Sequence, residues 1–235
     1  MPNFRAQRIF GKVVRLTLTF FVFAITALVL WRVFFSANIP DTLKPLAVND
    51  RTRAAYEQYG DEMILQYQNQ KSLTYGTHNA GYFGVAEYVF IPQANQVQVV
   101  LRYNNSTLKN LAKDYGLSEI PDKSGEYFDI TLLHVTDLTP NNAEDNTDPA
   151  AIQSLRIAPT TVMRDTTSLY TYYRLVFDGV TIDEHAVSHV FLDVYYKEDL
   201  DYEKEPYGTL LLYDHLHEWL PRKLTKGDKQ ALQGQ

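Results

Sequence analysis

The sequence predicts a mainly β protein: an antiparallel β-sandwich of immunoglobulin-like kind with two short helices, behind one N-terminal transmembrane helix. Three observations carry this. Leu16 to Trp31 is a run of 16 uncharged residues dominated by Leu, Phe, Val, Ala and Ile. From Met63 onward, eight short runs rich in Tyr, Val, Phe, Thr and Leu are separated by turn-forming residues. The alternating helix and strand rhythm of a parallel sheet is missing. A closed barrel is the second architecture this pattern allows.

The first element is the apolar span. A full crossing needs ~20 apolar residues, so the uncharged run alone is short. The stems of Arg15 and Arg32 can lie along apolar surface while their guanidinium groups reach the headgroups, which extends the span to residues 13–35. Trp31, Phe34 and Phe35 suit an interfacial belt. A cleaved secretion signal would end in a small-x-small site. Ala37 has Phe35 at that offset and Ala27 has Ile25, so the sequence favours a retained signal-anchor. Arg5, Arg8, Lys12 and Arg15 precede the span with no acid, whereas Arg32, Asp41 and Lys44 follow it. The positive-inside rule then expects residues 1–12 as a basic cytoplasmic tail and the C-terminal domain outside the cell.

Residues 36–48 read as a stalk, because Pro40 and Pro45 favour extended chain. A short helix follows in NDRTRAAYEQYG. Asn49 or Asp50 can cap it, Thr52, Ala55, Tyr56 and Tyr59 share a face, and Gly60 ends it. The period then changes to two. Met63, Leu65 and Tyr67 alternate with polar residues, and GYFGVAEYVFIP and NQVQVVLRYN form a hairpin turning at 92–95 with Val97, Val99, Leu101 and Tyr103 on one face. YFDITLLHVTD, AIQSLRIA, SLYTYYRLVF, AVSHVFLDVYY and GTLLLYD complete the strands, and TPNNAEDNTDPAA is an exposed loop. The extracytoplasmic domain is expected over 49–221, with a polar C-terminal tail at 222–235.

Composition narrows the function classes. The chain has 22 basic and 28 acidic residues. The first 35 residues hold five of the bases and no acid, so the remainder carries 17 against 28, a net charge of −11. Such a surface argues against nucleic acid, whose affinity comes from neutralised phosphates. The absence of cysteine excludes cysteine nucleophiles and, in an exported domain, points to a bacterial cell envelope of the single-membrane kind.

The motifs are weak as chemistry. Ser106-Thr-Leu-Lys109 followed by Lys123-Ser-Gly125 imitates a penicillin-binding pattern, but the two lie too close together to admit that fold's helical domain. Ser106 reads instead as the cap of a helix facing inward through Leu108, Leu111, Ala112 and Tyr115 and ended by Gly116. His185 and His189, and His215 and His217, sit among acids without complete metal spacing, and 141–148 lacks the calcium-loop order. No catalytic residue, metal or cofactor is therefore expected. Asn104 and Asn105 fit N-x-[ST].

The most suggestive stretch is YYKEDLDYEKEPYG, with acids set among tyrosines between two strong strands. Tyr195, Asp199, Asp201, Tyr202, Glu203 and Tyr207 are the candidate partner-binding residues, the rings for contact area and the acids for a basic partner. The sequence thus favours a single-pass membrane protein with no catalytic activity, which binds or scaffolds a protein or envelope polymer outside the cytoplasm. It could do so as a subunit of a larger envelope assembly. The alternative is an anchored envelope hydrolase with paired carboxylates, which leave no local signature.

Overall fold

A computed structural model describes residues 4–68, 80–137, 152–182, 187–214 and 219–234. The chain separates into two units, 1–38 and 39–235.

The first unit is helix α1, Phe4–Ala37. With no proline to break it, the helix runs through the apolar stretch and beyond it at both ends. Its segment Lys12–Trp31 has a mean hydropathy of 2.3 and is long and apolar enough to cross a membrane. Thr19 and Thr26 donate their hydroxyls to the carbonyls of Arg15 and Val22, at 2.9 and 2.8 Å, so neither presents a bare donor to an apolar surrounding.

The second unit is mainly β, with two antiparallel sheets. In order it holds α2 (Asp50–Tyr59), β1 (Ile64–Gln68), β2 (Phe83–Ile91), β3 (Gln96–Asn104), α3 (Asn105–Asp114), β4 (Phe128–Asp137), β5 (Ile152–Ile157), β6 (Thr161–Thr166), β7 (Tyr170–Asp178), β8 (Val187–Tyr196), β9 (Gly208–Asp214), β10 (Trp219–Lys223) and α4 (Lys226–Leu232). The six-stranded sheet runs β10-β1-β2-β3-β7-β6 and the four-stranded sheet β5-β4-β8-β9. Each sheet keeps two edge strands, so among the described residues the ladders do not close into a barrel.

Alternation explains the core. Val97, Val99, Leu101 and Tyr103 of β3 join Tyr173, Leu175 and Phe177 of β7 on one face of the larger sheet. The same cluster takes Ile130 and Leu132 from β4, Val190, Leu192 and Val194 from β8, and Leu210 and Leu212 from β9. Leu108 and Leu111 of α3 close it at one end. Each fully buried aliphatic side chain adds ~1.5–3 kcal/mol relative to exposure.

The opposite face of the larger sheet is covered as well. Leu46, Ala55, Met63, Leu65, Val89, Ile91, Leu224 and Leu232 form a second cluster there, and Leu43, Val100 and Tyr172 a third. This overturns two sequence expectations. Residues 39–48 are not a free stalk, because Leu43, Leu46 and Ala47 are buried and the segment lies across β3 and β7. Nor is 222–235 a loose tail. It completes β10 and forms α4, whose capping box joins Thr225 and Asp228 and buries Leu232. Two strands beyond the eight expected are β6, whose residues are only partly buried, and β10, where Pro221 is tolerated on a sheet edge.

Candidate partner-binding surface

The segment after β8 begins with a 3-10 turn at Lys197–Asp199 and returns into β9 at Gly208. Its base is anchored by rings. Tyr207 is only 7% exposed and donates its hydroxyl to Asp114 at the end of α3, at 3.0 Å. Tyr115 packs on Tyr196 and Tyr207, with centroids 4.5 and 5.8 Å away. Burial, then the bond to Asp114, pushes the Tyr207 hydroxyl far above its ordinary pKa. Tyr196 donates to Glu198 at 2.8 Å, and burial first, then that bond, pushes it up to about 12. The Lys197 N–H donates to the Tyr127 carbonyl at 2.9 Å.

Sheet register builds the other side. Opposite the core, Asp129 of β4 faces Tyr195 of β8, Thr131 faces Asp193, and Asp193 faces Thr209 of β9. Arg156 of β5 sits beside Leu133, one step along the same face. Its Nη1 donates to Thr131 Oγ1 and Asp193 Oδ2, each at 3.1 Å, and to the Tyr195 hydroxyl at 2.5 Å. Thr209 donates to Asp193 Oδ1 at 2.9 Å. Burial raises the Asp193 carboxyl above the usual carboxylate range, against the pull of Thr209 and Arg156. The guanidinium lies 5.3 Å from the Tyr195 ring and 5.6 Å from the Tyr202 ring, within cation–π reach of both. Tyr195 and Tyr202 meet edge to face at 5.1 Å, and Tyr202 donates to Asp129 Oδ2 at 2.7 Å.

The six residues singled out from sequence therefore divide. Tyr195, at 3% exposure, and Tyr207 are buried, so neither ring is free to contact a partner; both hold the hairpin in place. Tyr202 remains 45% exposed, with Leu200 beside it at 43%. Asp199 and Glu203 are exposed and Asp201 is partly so, and Lys204 reaches Asp199 at 3.1 Å and Asp201 at 4.0 Å. Arg156, Asp129, Asp193 and Thr131 were missed by sequence reasoning. Arg156 is visible only as an outward position of AIQSLRIA, and only the order β5-β4-β8 brings it to the hairpin.

The remaining motifs resolve structurally. Asn104, not Ser106, caps α3: its side chain accepts from the N–H groups of Ser106 and Thr107 at 2.8 and 3.2 Å. An asparagine preceding the helix reaches both orphan donors, whereas Ser106 already lies within the first turn. Lys123, Ser124 and Gly125 lend their carbonyls to Arg164. His189 stacks on Phe191. His185, His215, His217 and residues 141–148 lie outside the described residues, among which no group of three or more His, Cys, Asp or Glu is placed to hold a metal.

Comparison with protein-family models, curated proteins and solved structures finds no match for this chain.

Proposed function

We propose that this is a single-pass membrane-tethered protein of a bacterial cell envelope. Its N-terminus lies in the cytoplasm, and a β-sandwich outside binds or scaffolds a basic protein or envelope-polymer partner. The reading rests on one observation: an acidic hairpin whose exposed ring, Tyr202, is fixed by Arg156 and Asp129. A pre-set aromatic surrounded by acids loses little entropy on contact and steers a cationic partner. The sandwich reading draws on the cluster that takes side chains from both sheets. Six and four strands depart from the seven of the immunoglobulin constant arrangement, so the immunoglobulin-like form has no further support.

Against the hydrolase alternative, the two carboxylates on the sheet face around Arg156 are both occupied: Asp129 by Tyr202, and Asp193 by Arg156 and Thr209. The absence of cysteine gives a direct test. Glu203→Cys in the full chain should react with a membrane-impermeant maleimide on intact cells. A photo-crosslinker at the same position should capture a partner that one at Asp61, in the turn that follows α2, does not. Labelling only after lysis, or equal capture at both positions, rejects the reading.

A further inference from the structure

We propose that Arg156, held by the buried carboxylate of Asp193, is the positioning residue of the recognition hairpin: it fixes the Tyr202 ring that meets a cationic partner. The proposal rests on the partner-binding reading above and assigns a role to a residue on a different, edge strand. Arg156 is 31% exposed at its side chain and Asp193 4%, so the ion pair has a dry end and a wet end. The dry end is fixed from three strands. Thr131 on β4, Asp193 and Tyr195 on β8, and Thr209 on β9 all converge on it, which leaves the guanidinium little freedom to rotate. At the wet end the guanidinium lies over two rings that touch each other edge to face.

Tyr202 is otherwise attached to the sheet through the hydroxyl contact with Asp129 and the edge-to-face contact with Tyr195. A loop tip held by one hydrogen bond and one ring edge still samples several ring positions; a further contact with a cation narrows them. Arginine suits this place and lysine does not, because only a flat guanidinium can serve an acceptor edge-on and a ring face-on at once. Asp193 is needed although it touches no part of the hairpin tip. Without its charge the guanidinium keeps only the neutral Thr131 and Tyr195 hydroxyls as acceptors on the sheet.

The test uses the full chain in neutral phosphatidylcholine nanodiscs, with a short oligolysine peptide as the cationic probe and release measured by stopped flow. Arg156→Lys keeps a charge opposite Asp193 and should leave the melting temperature within about 2 °C. It should nevertheless speed oligolysine release by about tenfold and shift the Tyr202 ring resonances. Tyr202→Ala should speed release to a similar extent. If Tyr202→Ala speeds release and Arg156→Lys does not, Arg156 positions nothing and the proposal is wrong while the hairpin reading stands. If neither Tyr202→Ala nor removal of the hairpin acids changes oligolysine binding, the hairpin reading itself fails and takes this proposal with it. Should Arg156→Lys prove poorly folded, Asp129→Ala removes the acceptor of the Tyr202 hydroxyl, loosens the ring from its other side and leaves the Arg156–Asp193 pair intact. Unchanged ring resonances and release in that variant overturn the idea of a positioned ring.

Discussion

The two sheets treat their outward faces differently, and both do it with buried polar groups. On the six-stranded sheet, Gln96, Gln98 and Arg174 are fully buried beneath the segment that begins at Ile39. Arg174 donates from Nε to the Leu43 carbonyl at 2.8 Å and from Nη2 to the Lys44 carbonyl at 3.2 Å, and pairs with Glu87. The Gln98 side chain receives the Ala47 N–H at 3.0 Å and returns its own N–H to the Ala47 carbonyl at 2.8 Å. On the four-stranded sheet, Asp193 and Thr131 are buried in the same way, but Arg156 emerges from them to meet an exposed tyrosine. One network fastens a strap of chain; the other presents a ring. A buried polar cluster is costly unless every member is paired. What differs is whether the last partner is backbone or a surface side chain.

The contrast is broken most directly at Arg174. Arg174→Met removes a cation with no exposure, leaves Glu87 with the more distant Arg222 at 4.0 Å, and takes a donor from two strap carbonyls. Removing one partner of a buried pair costs roughly 3–5 kcal/mol, which for a domain of this size lowers the melting temperature by roughly 10 °C. Arg174→Met with Glu87→Gln should recover part of that loss, since the half-buried carboxylate that has lost its nearer cation is then neutral. A loss below about 1 kcal/mol in the single variant, measured by chemical denaturation, would mean that Leu43, Leu46 and Ala47 hold the strap by apolar contact alone.

Protonation separates the two faces in sign. Burial opposes the charge on Asp178, beneath the strap side, but Gln96, Thr160 and Asn49 donate to it and Arg51 attracts it, so its carboxyl falls below the usual range. That contribution to stability is present above the ordinary carboxylate value and is lost as the pH falls through the lowered one. Asp193 behaves oppositely. Its raised carboxyl makes the charged form a cost above the raised value, and the cost is relieved as the pH falls towards the ordinary one. Asp178→Asn should therefore flatten the acid limb of the stability curve, while Asp193→Asn should remove a gain at mildly acidic pH. Melting curves between pH 3 and 7 that move in the same direction for both variants would contradict the assignment.

These features were unequally legible in the sequence. The apolar span, α2, α3 and the alternating strands could be read because local patterning and burial agree there, as in Val97, Val99, Leu101 and Tyr103. The covered face could not. Gln96, Gln98 and Arg174 occupy positions that alternation assigns to solvent, and only the strap makes them interior. Pro40 and Pro45 read as extended chain, yet Asp41–Leu43 between them forms a 3-10 turn, and neither proline says what that chain lies against. The hairpin was visible by its acids and tyrosines, yet the division between buried Tyr195 and Tyr207 and exposed Tyr202 depends on tertiary neighbours at Asp114 and Arg156. No spacing in the sequence encodes those contacts.

The smallest expected effect on stability belongs to the open face, and it isolates function from folding. Glu203 and Glu205 are exposed on the hairpin. Replacing both with Ser leaves the Lys204 pairs with Asp199 and Asp201 intact. Exposed substitutions of this kind change stability by less than about 0.5 kcal/mol. Their charge still acts at a distance, over ~8–10 Å at ordinary ionic strength. The double variant should therefore slow oligolysine association and reduce its dependence on salt, with release almost unchanged. Tyr202→Ala should do the reverse, because a ring in contact governs dissociation. Association rates over a salt series, set beside release rates for both variants, assign each residue to steering or to holding. A double variant that unfolds more easily, or that alters release and leaves association alone, would place these acids in the framework of the fold and remove the distinction between the two faces.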